Sequence, residues 1–360
     1  MRIIQIIDSL EAGGAERMAV SYANALAMKI AFSGLVVTRK EGSLKGQLDN
    51  QVSYLFLNKK RALDFKAVIR LRNYVKQHKV TVVHAHSTSF FMAFLLKMSC
   101  PSLQLIWHDH YGDSEFLSQR SLLTLKITLP FFDGIIAVNQ KLKSWAEQNL
   151  NFKNTVYLPN FPSEEKTSIT ATVLNGINGK RIVCLANLRA QKDHFLLLEV
   201  AKKIKQSHPD WTIHLVGKDF EDDYSKKIKN LIVEFNLGNT VFFYGTKQDV
   251  PNILNQSTIA ILTSKSEGLP VALLEYGWHK KPVVVTNVGE ISSLVQDSEN
   301  GFIVVAQNEE LFYNALVILM GNDFLRINFG NALYKTIVKN NSEEVVIKQY
   351  LGWLQNNKRK

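Results

Sequence analysis

The chain has 360 residues, 46% of them hydrophobic and 21% charged, and its 43 Lys and Arg against 32 Asp and Glu give a net charge of +11. This composition excludes disorder, and at roughly 150 residues per domain the length implies about two domains, each able to bury a core. Two cysteines, Cys100 and Cys184, are too few for a disulfide framework and fit a reducing compartment.

Met1 to Asp8 is an apolar run of strand length with no extended h-region or cleavage site, so it reads as a strand and nothing suggests export. The loop that follows ends in Gly13 and Gly14 before a helix over Ala15 to Ala27. Adjacent glycines there let an anion approach a helix amino terminus, although a plain connecting turn has the same pattern. The G-x-G-x-x-G fingerprint is missing, which argues against a nicotinamide cofactor.

Residues 1–160 hold 20 basic and 11 acidic side chains, a net +9, whereas the remainder is nearly balanced at +2. Eight of those cations (Lys59, Lys60, Arg61, Lys66, Arg70, Arg72, Lys76, Lys79) fall in one short stretch against Asp64 alone. Val68, Leu71 and Val75 recur at helical spacing within Phe65 to His78, so one helix face packs and the other presents cations. An anionic membrane, a lipid phosphate or nucleic acid would suit that face, and so would a solvated surface serving solubility alone. Phe90 to Leu96 and Leu122 to Phe132 are apolar with Arg120 and Lys126 nearby, a pattern shared by interfacial segments and by core.

Val80 to Ala85 then Phe90 to Met98, and Ile135 to Val138 then Leu142 to Leu150, repeat the strand-then-helix order. No stretch here has the length and apolarity to span a bilayer. His84, His86, His108, Asp109 and His110 gather at strand ends. Two His one residue apart face the same way only on a regular strand, and with no H-E-x-x-H or Cys pair beside them no metal is expected.

Leu158 to Lys180, with Pro159, Pro162, Gly176 and Gly179, reads as a linker. Strand patterns restart at Ile182 to Ala186, Ile213 to Val216, Val241 to Tyr244, Ile259 to Thr263 and Val283 to Thr286, followed by successive amphipathic helices over Asn308 to Asn356. The expected architecture is two doubly wound, parallel-sheet α/β domains whose ligands sit at strand carboxyl ends, in a cleft between them. We place the first domain at 1–165, the linker at 166–180, the second domain at 181–340 and a terminal helix at 341–360, its Trp353 and Leu354 suggesting docking, with the first domain one place for it.

After the first strand of the second half, Arg189 and Lys192 are within reach of a diphosphate. Ser264 to Tyr276 reads S-K-S-E-G-L-P-V-A-L-L-E-Y. Pro270 suits a first helical position, and the backbone N–H groups around Gly268 and Leu269 can cradle an anion. Glu275, one turn in, can accept both hydroxyls of a ribose, and Glu267 can reach a sugar; as plain alternatives, Glu267 caps the helix and Glu275 is solvated.

These residues resemble glycosyltransferase family 4, retaining nucleotide-sugar enzymes of GT-B architecture, over essentially the whole chain. The matching motifs are G-G-A-E-R at 13–17, H-A-H at 84–86, H-D at 108–109, L-P-N at 158–160, Lys192, and an E-x7-E motif at Glu267 to Glu275. The resemblance implies that Lys192 with a neighbouring arginine holds the donor diphosphate, Glu275 the ribose, and Glu267 with the backbone after it the transferred sugar, which His108 also contacts. Ala186, Asn187 and Leu188 stand where the family has G-R-L, so Arg189 is expected to supply the missing cation. Glu290 and Ser293 replace a glycine and a glutamate common after Val288 and Gly289, and Phe161 replaces a glycine after L-P-N.

The resemblance implies a metal-independent, cofactor-free retaining transferase that moves a hexosyl or N-acetylhexosaminyl group from a UDP-sugar to a lipid-linked or surface glycan. Polysaccharide, lipopolysaccharide or capsule assembly is the expected setting. The basic first domain is expected to be the acceptor side, docked through Lys59, Lys60, Arg61, Lys66, Arg70 and Lys76 on the cytoplasmic leaflet of the plasma membrane. Competing readings are a sugar-nucleotide epimerase or phosphorylase of the same architecture and a noncatalytic nucleic-acid module, the latter without any supporting motif.

Overall fold

The computed structural model describes residues 1–162 and 172–357. The chain folds into two compact units, Met1–Ser163 with Glu343–Lys360, and Glu164–Ser342.

In the first unit β1 (Arg2–Ser9), β2 (Phe32–Lys40), β3 (Ser53–Phe56), β4 (Val82–His86), β5 (Gln104–Asp109), β6 (Gly134–Ala137) and β7 (Thr155–Tyr157) form one sheet in the order β3-β2-β1-β4-β5-β6-β7. Every pairing is parallel. Helices α1 (Gly14–Ala27), α2 (Phe65–Gln77), α3 (Phe90–Ser99), α4 (Leu123–Thr128) and α5 (Gln140–Asn149) connect them. Parallel strands sandwiched between helices are buried on both faces, which is why β4 and β6 are buried throughout. Asp64 and Asn139 cap α2 and α5 by accepting from Ala67 N and Leu142 N. β2 and the short β3 and β7 escape a reading of apolar runs because β2 is bounded by polar residues and the other two are only four and three residues long.

The second unit repeats the plan with β8 (Arg181–Leu185), β9 (Thr212–Val216), β10 (Val241–Phe243), β11 (Ile259–Leu262), β12 (Val283–Thr286) and β13 (Phe302–Val304), ordered β10-β9-β8-β11-β12-β13 and all parallel. Its helices are α6 (His194–Ser207), α7 (Asp223–Glu234), α8 (Val250–Gln256), α9 (Val271–Trp278), α10 (Glu309–Met320) and α11 (Asp323–Asn341). Of the expected linker, 166–171 lie outside the described residues. Thr172–Lys180 instead belongs to this unit's surface: Thr172 Oγ1 donates to Asp249 Oδ1 at 2.9 Å, Asn175 N donates to Tyr244 Oη at 2.9 Å, and Leu174 is buried.

The last helix, α12 (Glu343–Asn356), packs in the first unit. Its Tyr350 is fully buried against Tyr22 of α1, ring centroids 5.1 Å apart, and Trp353 lies over Gly134, where a Cβ would come within 2.5 Å of the indole. Losing a buried ring of this size leaves a cavity that the neighbours fill only in part. Tyr350→Ala should therefore cost about 3–5 kcal/mol of stability, read as a lowered midpoint in urea denaturation.

Candidate functional site

In the second unit the strand order reverses between β8 and β11, and the loops leaving their carboxyl ends diverge around a crevice suited to ligands. The β8 loop carries Arg189 and Lys192; the β11 loop carries Ser264 to Pro270. The two are stitched together by Thr263 Oγ1 donating to Lys192 O at 3.0 Å and Lys265 N donating to Gln191 O at 2.8 Å, with Lys265 Nζ 3.2 Å from Asp193 Oδ1. Lys192 Nζ then reaches Glu267 Oε1 at 2.6 Å, and Ser264 Oγ donates to the same oxygen at 2.6 Å. The Glu267 side chain is only 6% exposed against 21% for Lys192, so the ammonium is the more accessible of the pair.

Two glycines allow this packing. Gly217, after β9, has the carbonyl oxygen of Ala186 2.1 Å from where a Cβ would sit. Gly289, at φ +59°, lies so close beneath the β11 loop that a Cβ would meet Glu267 O at 2.3 Å, and Glu290 N donates to Gly268 O at 2.9 Å. The β12 loop therefore supports the backbone of Glu267, Gly268 and Leu269. Pro270 is the N-cap of α9 (φ −69°, ψ 121°) and not its first turn, as the sequence suggested, because its extended ψ lets the chain turn into the helix. Tyr276, fully buried, anchors α9 to the sheet, accepting from Leu185 N at 2.7 Å and lying 3.2 Å from Ile261 O. Glu275 sits beside it on α9, 8% exposed.

Arg189 does not join Lys192 and Glu267. It is exposed and its guanidinium lies 4.6 Å from the Phe220 ring centroid, with Lys218 Nζ 4.8 Å from the same ring. Lys218 escaped the sequence reading; the signal was its place directly after β9 and Gly217. Lys218 N donates to Asn187 Oδ1 at 2.7 Å, so the asparagine that replaces the family's arginine holds the neighbouring loop.

In the first unit, strand pairing places Gln5 beside His84 and His86 beside His108. The strands are regular, so these side chains share one sheet face and are all fully buried. His84 Nε2 lies 3.1 Å from His108 Nδ1; His86 contacts His110 Nε2 through Nδ1 at 3.0 Å and Gln5 Oε1 through Nε2 at 2.8 Å. Tyr22 packs edge-on, 5.1 Å from His84 and 5.6 Å from His108. Nitrogens of His84, His86 and His108 converge within 4.8 Å, close enough to hold a metal ion. His84 Nδ1 and His108 Nε2 are buried without a hydrogen-bond partner. A metal-binding imidazole normally has its second nitrogen held by an acceptor, so the set fits an imidazole network better than a metal site.

Asp109, alternating to the opposite face, does not accompany the imidazoles: it accepts a bidentate pair from Arg120 at 2.6 and 2.8 Å. Gly13 is the N-cap of α1, and the Glu16 carboxylate folds back over it, one oxygen 2.2 Å from where a Cβ would project. A carboxylate of the chain itself thus faces the helix start that Gly13 and Gly14 open to an anion.

On α2 and the segment just before it the exposed residues Lys60, Arg61, Lys66, Arg70 and Lys76 stand with Leu63, Phe65 and Ile69, which are 56%, 75% and 55% exposed. Lys59 is not part of that surface: it is 6% exposed, its N–H donates to Thr38 O at 2.6 Å, and burial lowers its pKa. Of the two apolar segments, Met92, Ala93, Leu96, Leu125, Leu129 and Phe132 are core, whereas Leu123 and Ile127 are 71% and 58% exposed around Lys126.

Two units, each a doubly wound parallel sheet, with cations and a buried acidic pair at a strand-order reversal, define a GT-B glycosyltransferase. The sequence agrees: the model of glycosyltransferase family 4 matches residues 12–166 and that of glycosyl transferases group 1 matches 165–336, and the chain belongs to glycosyltransferase family 4. It is 25% identical over 327 residues to a UDP-Gal:α-D-GlcNAc-diphosphoundecaprenol α-1,3-galactosyltransferase of Escherichia coli, covering 84% of each chain. It is 24% identical over 307 residues to the capsular polysaccharide biosynthesis glycosyltransferase CapH of Staphylococcus aureus, covering 82% of this chain and 84% of CapH. Among solved structures, S. aureus TarM with fondaparinux, α-GlcNAc-glycerol and UDP superposes with a TM-score of 0.81 at 14% identity, over 98% of this chain and 99% of TarM. Among the described residues no helix is long and apolar enough to cross a membrane.

Burial holds His84, His86 and His108 well below the usual imidazole pKa, reinforced for His84 and His108 by His110 and for His86 by His84. At neutral pH His108 is therefore a neutral hydrogen-bonding group, not a proton donor of imidazolium type. The folded pKa values lie below the unfolded one, so this stability is complete above the unfolded pKa and falls as pH drops, the unfolded chain taking up protons that the folded one excludes. Three such histidines give a slope of about 4 kcal/mol per pH unit below that point. Thermal melts should show Tm nearly flat from pH 8 to 7 and falling steeply below pH 6, with a shallower fall in His84→Phe; a flat Tm down to pH 5 would contradict the neutral network.

Proposed function

We propose that the chain is a retaining transferase that moves a hexosyl or N-acetylhexosaminyl group from a UDP-sugar to a hydroxyl of a lipid-linked or surface glycan, in polysaccharide, lipopolysaccharide or capsule assembly. The observation that carries this reading is the Lys192–Glu267–Ser264 cluster at the reversal between β8 and β11, in the loop that leads into α9. The UDP bound to TarM and the diphosphoundecaprenol acceptor in the name of the E. coli relative point the same way.

In this reading the donor diphosphate takes up Lys192, whose ammonium has two further protons to offer once one is given to Glu267, and the α9 amino terminus adds its dipole. Arg189 and Lys218, on Phe220, add charge at the edge of the same crevice. Glu275 holds the ribose hydroxyls, and Glu267, with the backbone of Gly268, Leu269 and Pro270, orients the sugar. His108, wholly buried with its Nδ1 against His84, is left out of the sugar contact that the resemblance implied and belongs to the histidine network. The acceptor oxygen bonds to the anomeric carbon on the face from which the diphosphate leaves, and a donor phosphate oxygen takes its proton. Fixed cations and the helix dipole stabilise the leaving diphosphate, so neither metal nor cofactor is required.

The acceptor side docks on anionic lipid at the cytoplasmic face of the plasma membrane. Lys60, Arg61, Lys66, Arg70 and Lys76 supply charge, and Phe65 and Ile69 enter the interface.

Lys192→Ala and Glu275→Ala should each reduce transfer from UDP-sugars at least 100-fold, about 2.7 kcal/mol, with a native circular dichroism spectrum retained at the assay temperature. Retained turnover in both would overturn the assignment. Product analysis with donor alone, yielding a rearranged sugar, would favour an epimerase. Lys66→Glu with Lys76→Glu should release the protein from phosphatidylglycerol vesicles in sedimentation, at about 1 kcal/mol per charge removed, leaving donor hydrolysis intact.

A further inference from the structure

Beside α5 the first unit has a groove of about 640 Å³ bounded on its other side by residues 114–118. Gln140, Ser144 and Gln148 recur every four residues and so form one line along the helix, with Asn149 beside it; all four are exposed. Across the groove Lys141 Nζ donates to both oxygens of Glu115, at 2.6 and 2.7 Å.

That pairing decides the ligand class. Lys141 is the groove's one cation among its lining residues, and Glu115 already neutralises it, so a phosphate or nucleotide would meet no spare charge. Only Leu117 and Trp145 in the lining are apolar, too little surface for a lipid tail or an apolar helix. Hydroxyl and carboxamide groups both donate and accept, which matches the hydroxyls of a neutral sugar. Trp145, 7% exposed, forms the floor of the groove rather than an open wall of it. It is held rigid by the Arg120 guanidinium 4.4 Å from its ring centroid, itself clamped by Asp109.

We propose that this groove is a glycan subsite, holding neutral sugar residues of the acceptor chain beyond the one that reacts. The assignment to an acceptor rests on the transferase reading; the carbohydrate specificity rests on the groove alone. Asp109 and Arg120, which the catalytic proposal leaves unused, thereby become positioning residues for Trp145.

Fluorescently labelled full-length protein on an array of immobilised neutral oligosaccharides tests it, alongside thermal stabilisation by UDP. The wild type should bind a subset of the array. Ser144→Trp, which fills the groove, should bind none, and Gln148→Ala should weaken binding roughly tenfold. UDP should stabilise all three equally. No oligosaccharide bound by the wild type, or identical binding by both variants, would overturn the subsite. Oligosaccharide binding lost in the variants, with no stabilisation by UDP, would support the subsite and overturn the UDP-sugar reading of the donor.

Discussion

Parallel pairing of β8 with β11, in the register Ile259 to Ile182 and Ala260 to Val183, is the constraint from which the donor-side chemistry follows. Parallel strands leave a sheet by the same edge, so loops 75 positions apart in sequence emerge together and Lys192 meets Glu267. An ammonium beside a buried carboxylate is held in place when no ligand is bound, which lowers the reorganisation needed when an anion arrives. The close approach of Gly289 to Glu267 and Gly268, and the hydrogen bonds of Tyr276, belong to the same arrangement: they hold backbone N–H groups at the start of α9 where a Cβ or a looser helix would displace them.

The first unit solves a different electrostatic problem. It buries His84, His86 and His108 on one sheet face, where burial makes charge expensive, and answers by linking imidazoles to one another and to Gln5. The covering layer comes partly from the far end of the chain, since Tyr350 of α12 stacks 5.2 Å from His84 and 5.1 Å from Tyr22. Asp109, one residue beyond His108, points to the other face and spends its charge on Arg120. One strand therefore serves two polar systems with opposite requirements, one kept neutral and one ionised.

The charge asymmetry of the sequence also resolves into places. Most of the cations between Lys59 and Lys79 are exposed, on α2 or in the segments flanking it, close in sequence to the exposed Leu63, Phe65 and Ile69. Lys59 alone turns inward, because its N–H continues the strand-edge hydrogen bonding to Thr38. A count of charges cannot see that distinction; it depends on which side of a backbone bend a residue falls.

By itself the sequence determined the class: strand-then-helix order repeated in two halves, the glycines before α1, Lys192 after β8 and the Glu267 to Glu275 motif are local patterns, and local patterns survive in a linear reading. It also set the basic character of the first half and the absence of a dinucleotide fingerprint. Only the tertiary structure decided which of these residues meet. It paired Lys192 with Glu267 and sent Arg189 to Phe220 beside an unsuspected Lys218. It put Pro270 before α9, folded Glu16 over Gly13, and separated Asp109 from His108. The pairing of Lys192 with Glu267 and the separation of Asp109 from His108 depend on strand register and alternation, which bring residues of distant loops to one edge or neighbours to opposite faces, and no spacing along the chain encodes them.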